Sequence, residues 1–225
     1  MKLETVKENL ANTYLLFKDF ILDKNYEEIN NCISWRNYIT GIPKIIYSKE
    51  YENLIEFRQF SLMLIDRSII QIFYYFDNKG LNKVKLAYYP VPKVIQIEKE
   101  EVDNYFQEAV DDALLAHYNI IYDLVKGDFE LTNSTHIRLD FDREVKTHEK
   151  NHMQIGGIND VRFPFYSLIL PFSFVDFIIK SVFPKEHSVL KLSPEYKYIY
   201  ADCRKKTIFD SEQVNDTSLH LYLHN

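Results

Sequence analysis

Residues able to do acid–base, metal or phosphate chemistry concentrate in Thr135–Pro164, THIRLDFDREVKTHEKNHMQIGGINDVRFP. In His136–Asp142, apolar Ile137, Leu139 and Phe141 alternate with His136, Arg138, Asp140 and Asp142. Successive strand side chains point to opposite faces, so the four polar groups share one face while the apolar three feed a core. Further on, His152, Gln154 and Gly156 alternate with Met153 and Ile155, and Arg162 follows. Asp140 and Asp142 lie roughly 7 Å apart along a strand, a spacing that lets two carboxylates share a hard cation through waters. His136, His148 and His152 offer nitrogen ligands or general acid–base groups near neutral pH. Arg138 and Arg162 suit bidentate grip on a phosphate. These are the parts of a phosphodiester-cleaving site. One version uses a divalent metal ion held by Asp140, Asp142 and His152; the other uses histidines and arginine without metal. The plainer alternative is a solvated hairpin in which Arg138, Asp140 and Asp142 form a salt-bridge ladder.

Other motifs are weaker. His148-Glu149-Lys150-Asn151-His152 matches the H-E-x-x-H string of zinc proteases, which requires a helix to place both histidines on one face. Here Lys150 stands between them and Gly156-Gly157 breaks any helix within a turn, so the protease reading is set aside. The paired glycines instead meet a backbone need, positive φ or close approach. Lys83, Lys85 and Tyr89 share a strand face and suggest a groove with Tyr89 stacking on a base, although a solvated lysine face is the commoner meaning. His117 reads as a buried neutral histidine, and His220 and His224 as surface groups. A third metal ligand at Asp176 has nothing to single it out. Serine-hydrolase elbows, Walker loops and dinucleotide fingerprints are lacking.

The elements that position these groups follow from periodicity. Leu3, Val6, Leu10, Tyr14, Phe17 and Ile21 predict an amphipathic helix to about Asp23, and Ile29 and Ile33 suggest helix over Tyr26–Tyr38. Phe57–Asp66, Ser68–Asp77 and Asn82–Pro90 read as a strand meander, with a turn at Asp77-Asn78-Lys79-Gly80. Glu98–Lys126 reads as a long helix capped by Gly127. After the Thr135–Pro164 hairpin, Pro171 opens an apolar helix that Pro184 stops, with Asp176 and Lys180 as an exposed i,i+4 pair. Ser193-Pro194-Glu195 signals a helix over Glu195–Lys205 burying Tyr196, Ile199 and Cys203, and Leu219–Leu223 reads as a final strand. The expected fold is a single α+β domain over residues 1–225, an antiparallel sheet (meander plus hairpin) packed against several helices.

Composition bounds the functional classes. The net charge of −6 argues against a whole-protein basic field for capturing nucleic acid, leaving only a local groove. The two cysteines, Cys32 and Cys203, have no metal-ligand spacing and read as reduced thiols. Met1–Asn12 lacks a signal-peptide core, and the apolar stretch Phe163–Pro184 is interrupted by prolines and charges, so a soluble cytoplasmic protein away from the membrane is expected.

The run Arg138-Leu139-Asp140-Phe141-Asp142, then His148, His152-Met153-Gln154-Ile155-Gly156-Gly157, Arg162-Phe163-Pro164 and Pro171…Phe183-Pro184 resembles an uncharacterised bacterial family known only as a domain of unknown function. That resemblance carries no activity. Some small bacterial toxin families are similar in their order of Arg, Asp and paired His, which implies an effector of a defence or toxin–antitoxin module. The expectation is therefore an intracellular nuclease-type enzyme cleaving RNA or DNA, with an operon partner protein. His148, His152, Arg138, Arg162 and Asp140 would be its catalytic groups. The rival is a non-catalytic component binding nucleic acid, nucleotide or protein through the same face.

Overall fold

Period-two alternation is realised chiefly as a large antiparallel sheet whose faces differ in chemistry, with β10 (Ser167–Leu168) and β11 (Ile208–Phe209) forming a separate two-stranded sheet. The computed structural model describes residues 1–40, 47–92, 135–156, 162–165, 167–206 and 208–209. The elements are α1 (Leu3–Phe17), β1 (Ile21–Lys24), β2 (Tyr26–Ile29), β3 (Cys32–Trp35), α2 (Tyr47–Glu56), β4 (Leu62–Leu64), β5 (Ile69–Asp77) and β6 (Gly80–Tyr89). Then follow β7 (Ile137–Asp142), β8 (Asn151–Ile155), β9 (Arg162–Pro164), β10 (Ser167–Leu168), α3 (Pro171–Val182), α4 (Pro184–Leu190), α5 (Pro194–Lys206) and β11 (Ile208–Phe209). The main sheet runs β1-β4-β5-β6-β7-β8-β9, and the β2–β3 hairpin joins it where β3 pairs with β5. The expected α+β class and antiparallel meander are what the chain forms.

One sheet face carries Ile70, Ile72, Tyr74, Val84, Leu86, Leu139 and Phe141, and against it pack Val6, Leu10 and Phe17 of α1, Phe172, Val175 and Ile179 of α3, and Cys203 of α5. Each such side chain contributes about 1.5–3 kcal/mol when fully buried. Phe17 stacks on Phe172 at 5.8 Å, and the buried Tyr74 hydroxyl donates to the Ile169 carbonyl at 2.7 Å. The helices meet at Asn9. Leu170, at the N-cap of α3, supplies no side-chain cap, and the buried Asn9 of α1 accepts from the Phe172 N–H at 2.8 Å in its place. The opposite sheet face has a smaller apolar cluster at one end, Ile69, Ala87 and Tyr89 under Leu54 of α2 and Phe60.

Several expectations need correction. The first helix ends at Phe17, and after a 3₁₀ turn at Lys18–Phe20 the chain becomes strand by Ile21. Tyr26–Tyr38 is a hairpin rather than a helix. Ile29 pairs with Cys32 across a two-residue loop in which Asn30 and Asn31 adopt φ of 49° and 63°. Asparagine tolerates that left-handed conformation, and two such residues make the hairpin turn that matches strand twist. Only Leu62–Leu64 of Phe57–Asp66 is strand, because the chain turns after α2 at Phe57–Arg58, with Arg58 at φ 50°, and turns again after Leu64. Asp176 does not form an exposed pair with Lys180: it accepts from Tyr196 at 3.1 Å and meets His187 at 2.8 Å between α3, α4 and α5. The Ser193 cap is as expected, its hydroxyl accepting from the Tyr196 N–H at 3.1 Å. The expected helix Glu98–Lys126 with His117, and the strand with His220 and His224, lie outside the described residues. Among the described residues no helix is long and apolar enough to cross a membrane.

Asn9→Leu keeps side-chain bulk but strands the buried Phe172 N–H. Urea denaturation is expected to show a loss of about 1–3 kcal/mol, the cost of an unsatisfied buried donor.

Candidate functional site

Two rows of cross-strand partners build the polar face. Arg138 of β7 stands opposite Gln154 of β8, which stands opposite Arg162 of β9. One step along, Asp140 is paired with His152, and His152 with Pro164. Backbone features at both ends hold this register. The Gly156 N–H donates to the His136 carbonyl at 2.9 Å, and Gly156 takes φ +77°, where an added Cβ would lie 2.9 Å from Thr135 Oγ1. At the other end the buried Asn151 amide donates to the carbonyls of Phe165 and Ser167, tying β8 to the segment entering β10. The expected backbone need at Gly156 is thus met; Gly157 lies outside the described residues. The His148–His152 string is loop running into strand, so its histidines lack the helical placement of a zinc protease.

Within this frame Arg138 is held as a fork. Its Nε donates to Asp140 Oδ2 at 2.6 Å and its Nη2 to Gln154 Oε1 at 2.9 Å. Asp140 Oδ1 is buried and has no hydrogen-bond partner among the described residues. His152 is only 5% exposed, and its Nδ1 lies 3.1 Å from the Glu149 carbonyl. A carbonyl can only accept, so Nδ1 carries the proton in that hydrogen bond and the neutral ring presents its lone pair at Nε2. That atom faces Asp140 Oδ2 at 3.8 Å. Burial is the main cause that lowers the His152 pKa below the ordinary histidine value of 6.5. Nearby His148 and Arg162 add to the lowering, while Asp140 and the Glu149 carbonyl oppose it. The His148 ring lies edge-on to His152 at 4.9 Å, exposed on the loop between β7 and β8. Arg162 is exposed at the rim.

Arg138, Asp140, His148, His152 and Arg162 therefore come together. Asp142 belongs to a different contact, with Lys83 Nζ at 2.9 Å. Burial works against its ionisation, but hydrogen bonds from Lys83 and the Glu144 N–H outweigh this and hold its carboxyl below the usual range. Among the described residues no group of three His, Cys, Asp or Glu side chains is placed to hold a metal ion. Tyr89 is 5% exposed and packs on His136 with ring centroids 4.8 Å apart, so it offers no face to a base; Lys85 donates to the Tyr38 hydroxyl at 3.1 Å. Sequence reasoning missed Glu50. Its carboxylate lies 3.6 Å from Nδ1 of His136, which is 1% exposed. Burial raises the Tyr89 pKa far above the tyrosine range. Glu50 sits on α2, whose surface-helix pattern gives no sign of where it docks.

Residues 14–221, nearly the whole chain, match one family of uncharacterized conserved proteins. The chain belongs to that family, DUF2290. The DUF2290 match takes in every strand of the polar face, from β5 through β9. No curated protein and no solved structure matches the chain.

Two outcomes are expected from this geometry. Gly156→Ala should lower stability by about 1–2 kcal/mol, since a side chain is strained at positive φ; chemical denaturation measures it. His152 binds its proton less readily folded than unfolded. Its contribution is complete above pH 6.5 and is lost as pH falls through the lower folded value. Melting temperatures of wild type and His152→Gln should therefore converge as the pH is taken from 7 to 5.

Proposed function

We propose that this chain is a phosphodiester-cleaving enzyme of the nuclease type, with His152 as its general base. The carrying observation is a buried histidine whose Nδ1–H is committed to the Glu149 carbonyl, so that Nε2 is the proton acceptor, one cross-strand row from Arg138 and Arg162. Proton abstraction at Nε2 would form an imidazolium 3.8 Å from the Asp140 carboxylate, which favours that charge. Arg162, with Arg138 behind it, would meet a phosphate and the charge developing on it. His148 is the second titratable ring and the candidate acid for the leaving oxygen. In the metal-using variant Asp140, Asp142 and His152 would hold a divalent ion. The separate ion pairs Arg138–Asp140 and Lys83–Asp142 favour the metal-free variant instead. The setting we infer is a cytoplasmic toxin or defence effector controlled by an operon partner, following from the resemblance in the order of Arg, Asp and paired His. One observation favours a binding-only component: the Arg138 guanidinium is already engaged by Asp140 and Gln154.

The test is cleavage of end-labelled oligonucleotides by wild type and His152→Ala, with and without EDTA. Wild type should cleave, His152→Ala should be slower by about 10²–10⁴-fold, and EDTA should leave the wild-type rate unchanged. The rate should rise with pH through a value below 6.5, where the base loses its proton, and fall again at higher pH as the acid is deprotonated. Binding of the oligonucleotide without cleavage would leave the non-catalytic role.

A further inference from the structure

We propose that the substrate is RNA and that its own ribose 2′-hydroxyl is the nucleophile activated at His152; this rests on the phosphodiester reading above. The donor–acceptor pattern at the centre of the face carries the inference. His152 Nε2 is a lone pair because Nδ1–H points at the Glu149 carbonyl 3.1 Å away. Across from it, Asp140 Oδ2 is also an acceptor, already holding the Arg138 Nε–H at 2.6 Å. Two acceptors 3.8 Å apart make no hydrogen bond with each other. The adjoining Oδ1 is a buried acceptor without a partner among the described residues. A site of converging acceptors is complementary to a group that brings a proton. The arginines on the neighbouring row, Arg138 and Arg162, call for a phosphate next to that group. A hydroxyl adjacent to a phosphodiester is what every RNA linkage offers and DNA does not.

The charge arrangement points the same way. Asp140 and Asp142 face Arg138 and Lys83, so the two carboxylates are not arranged as a common clamp for attacking and leaving oxygens. Without that clamp a nucleophile gains most from being tethered to the reacting phosphorus, since intramolecular attack carries effective molarities of about 10⁵–10⁸ M. In the step itself the 2′-OH proton passes to His152 Nε2, the O2′–P bond forms and the P–O5′ bond breaks. The departing O5′ takes a proton from the His148 imidazolium. The products are a 2′,3′-cyclic phosphate and a 5′-hydroxyl, and each ring returns to its starting state by exchange with water. No further reactant is consumed.

The experiment uses the wild-type full chain with three 30-nucleotide random-sequence pools: RNA, DNA and fully 2′-O-methylated RNA. The expected result is cleavage of RNA alone, at least about 10²-fold faster than either other pool, with 2′,3′-cyclic phosphate ends identified by mass spectrometry. Comparable cleavage of DNA, or RNA products ending in 5′-phosphate, would overturn the 2′-hydroxyl nucleophile while leaving the phosphodiesterase reading intact. Cleavage of none of the pools would remove that reading and this inference with it.

Discussion

The register of β7 against β8 is the constraint on which the rest of the site depends. Because strand side chains alternate, a one-residue slip of β7 would turn Arg138 and Asp140 into the helical layer and bring Leu139 out to their face. A slip of β8 would do the same to His152 and Met153. Burying a guanidinium and a carboxylate among Val84, Leu86 and Val175 would be far more costly than the whole stability of a domain allows. The slip is opposed locally as well, by the Gly156 N–H on the His136 carbonyl and by the Asn151 amide on the strand that follows. Register, and with it the Asp140–His152 pairing, is thus set by the hydrophobic core on the other side of the sheet.

That arrangement explains the division of charges across the polar face. Each carboxylate on β7 has its own cation, Asp140 with Arg138 on the same strand and Asp142 with Lys83 on β6. Such pairs are partly solvated and contribute modestly to stability. Their larger effect is on position. The Arg138 fork fixes Oδ2 of Asp140, and Asp140 in turn faces the one histidine nitrogen that carries a lone pair. Just before β7, the almost wholly buried His136 meets Glu50 of α2 at 3.6 Å, a second histidine–carboxylate contact on this face. The face therefore grades from packed to open as it runs from α2 toward the β7–β8 loop.

Much of this was legible in the sequence where period two is strict. His136–Asp142 and His152–Gly156 alternate without a break, and of the groups they place on one face Arg138, Asp140, His152 and Gln154 are those that meet. Legibility failed where local patterns compete. Ile29 and Ile33 have helical spacing, yet Asn30-Asn31 turns the chain into a hairpin and puts them on paired strands. Asp176 and Lys180 have the spacing of a surface pair, but Asp176 instead meets His187 and Tyr196, partners that arrive from α4 and α5. The separation of Asp140 from Asp142 into different ion pairs depends on Lys83 from β6, which pairs with Asp142 only once the meander is assembled. Glu50 was invisible for the same reason: its neighbours Tyr89 and His136 are distant in sequence.

The tautomer and charge of His152 test the account most directly. Nitrogen-15 NMR of the histidine rings at pH 7 should show His152 neutral, with the proton on Nδ1 and a free lone pair on Nε2. A proton on Nε2, or an imidazolium at that pH, would contradict the assignment of His152 as the base.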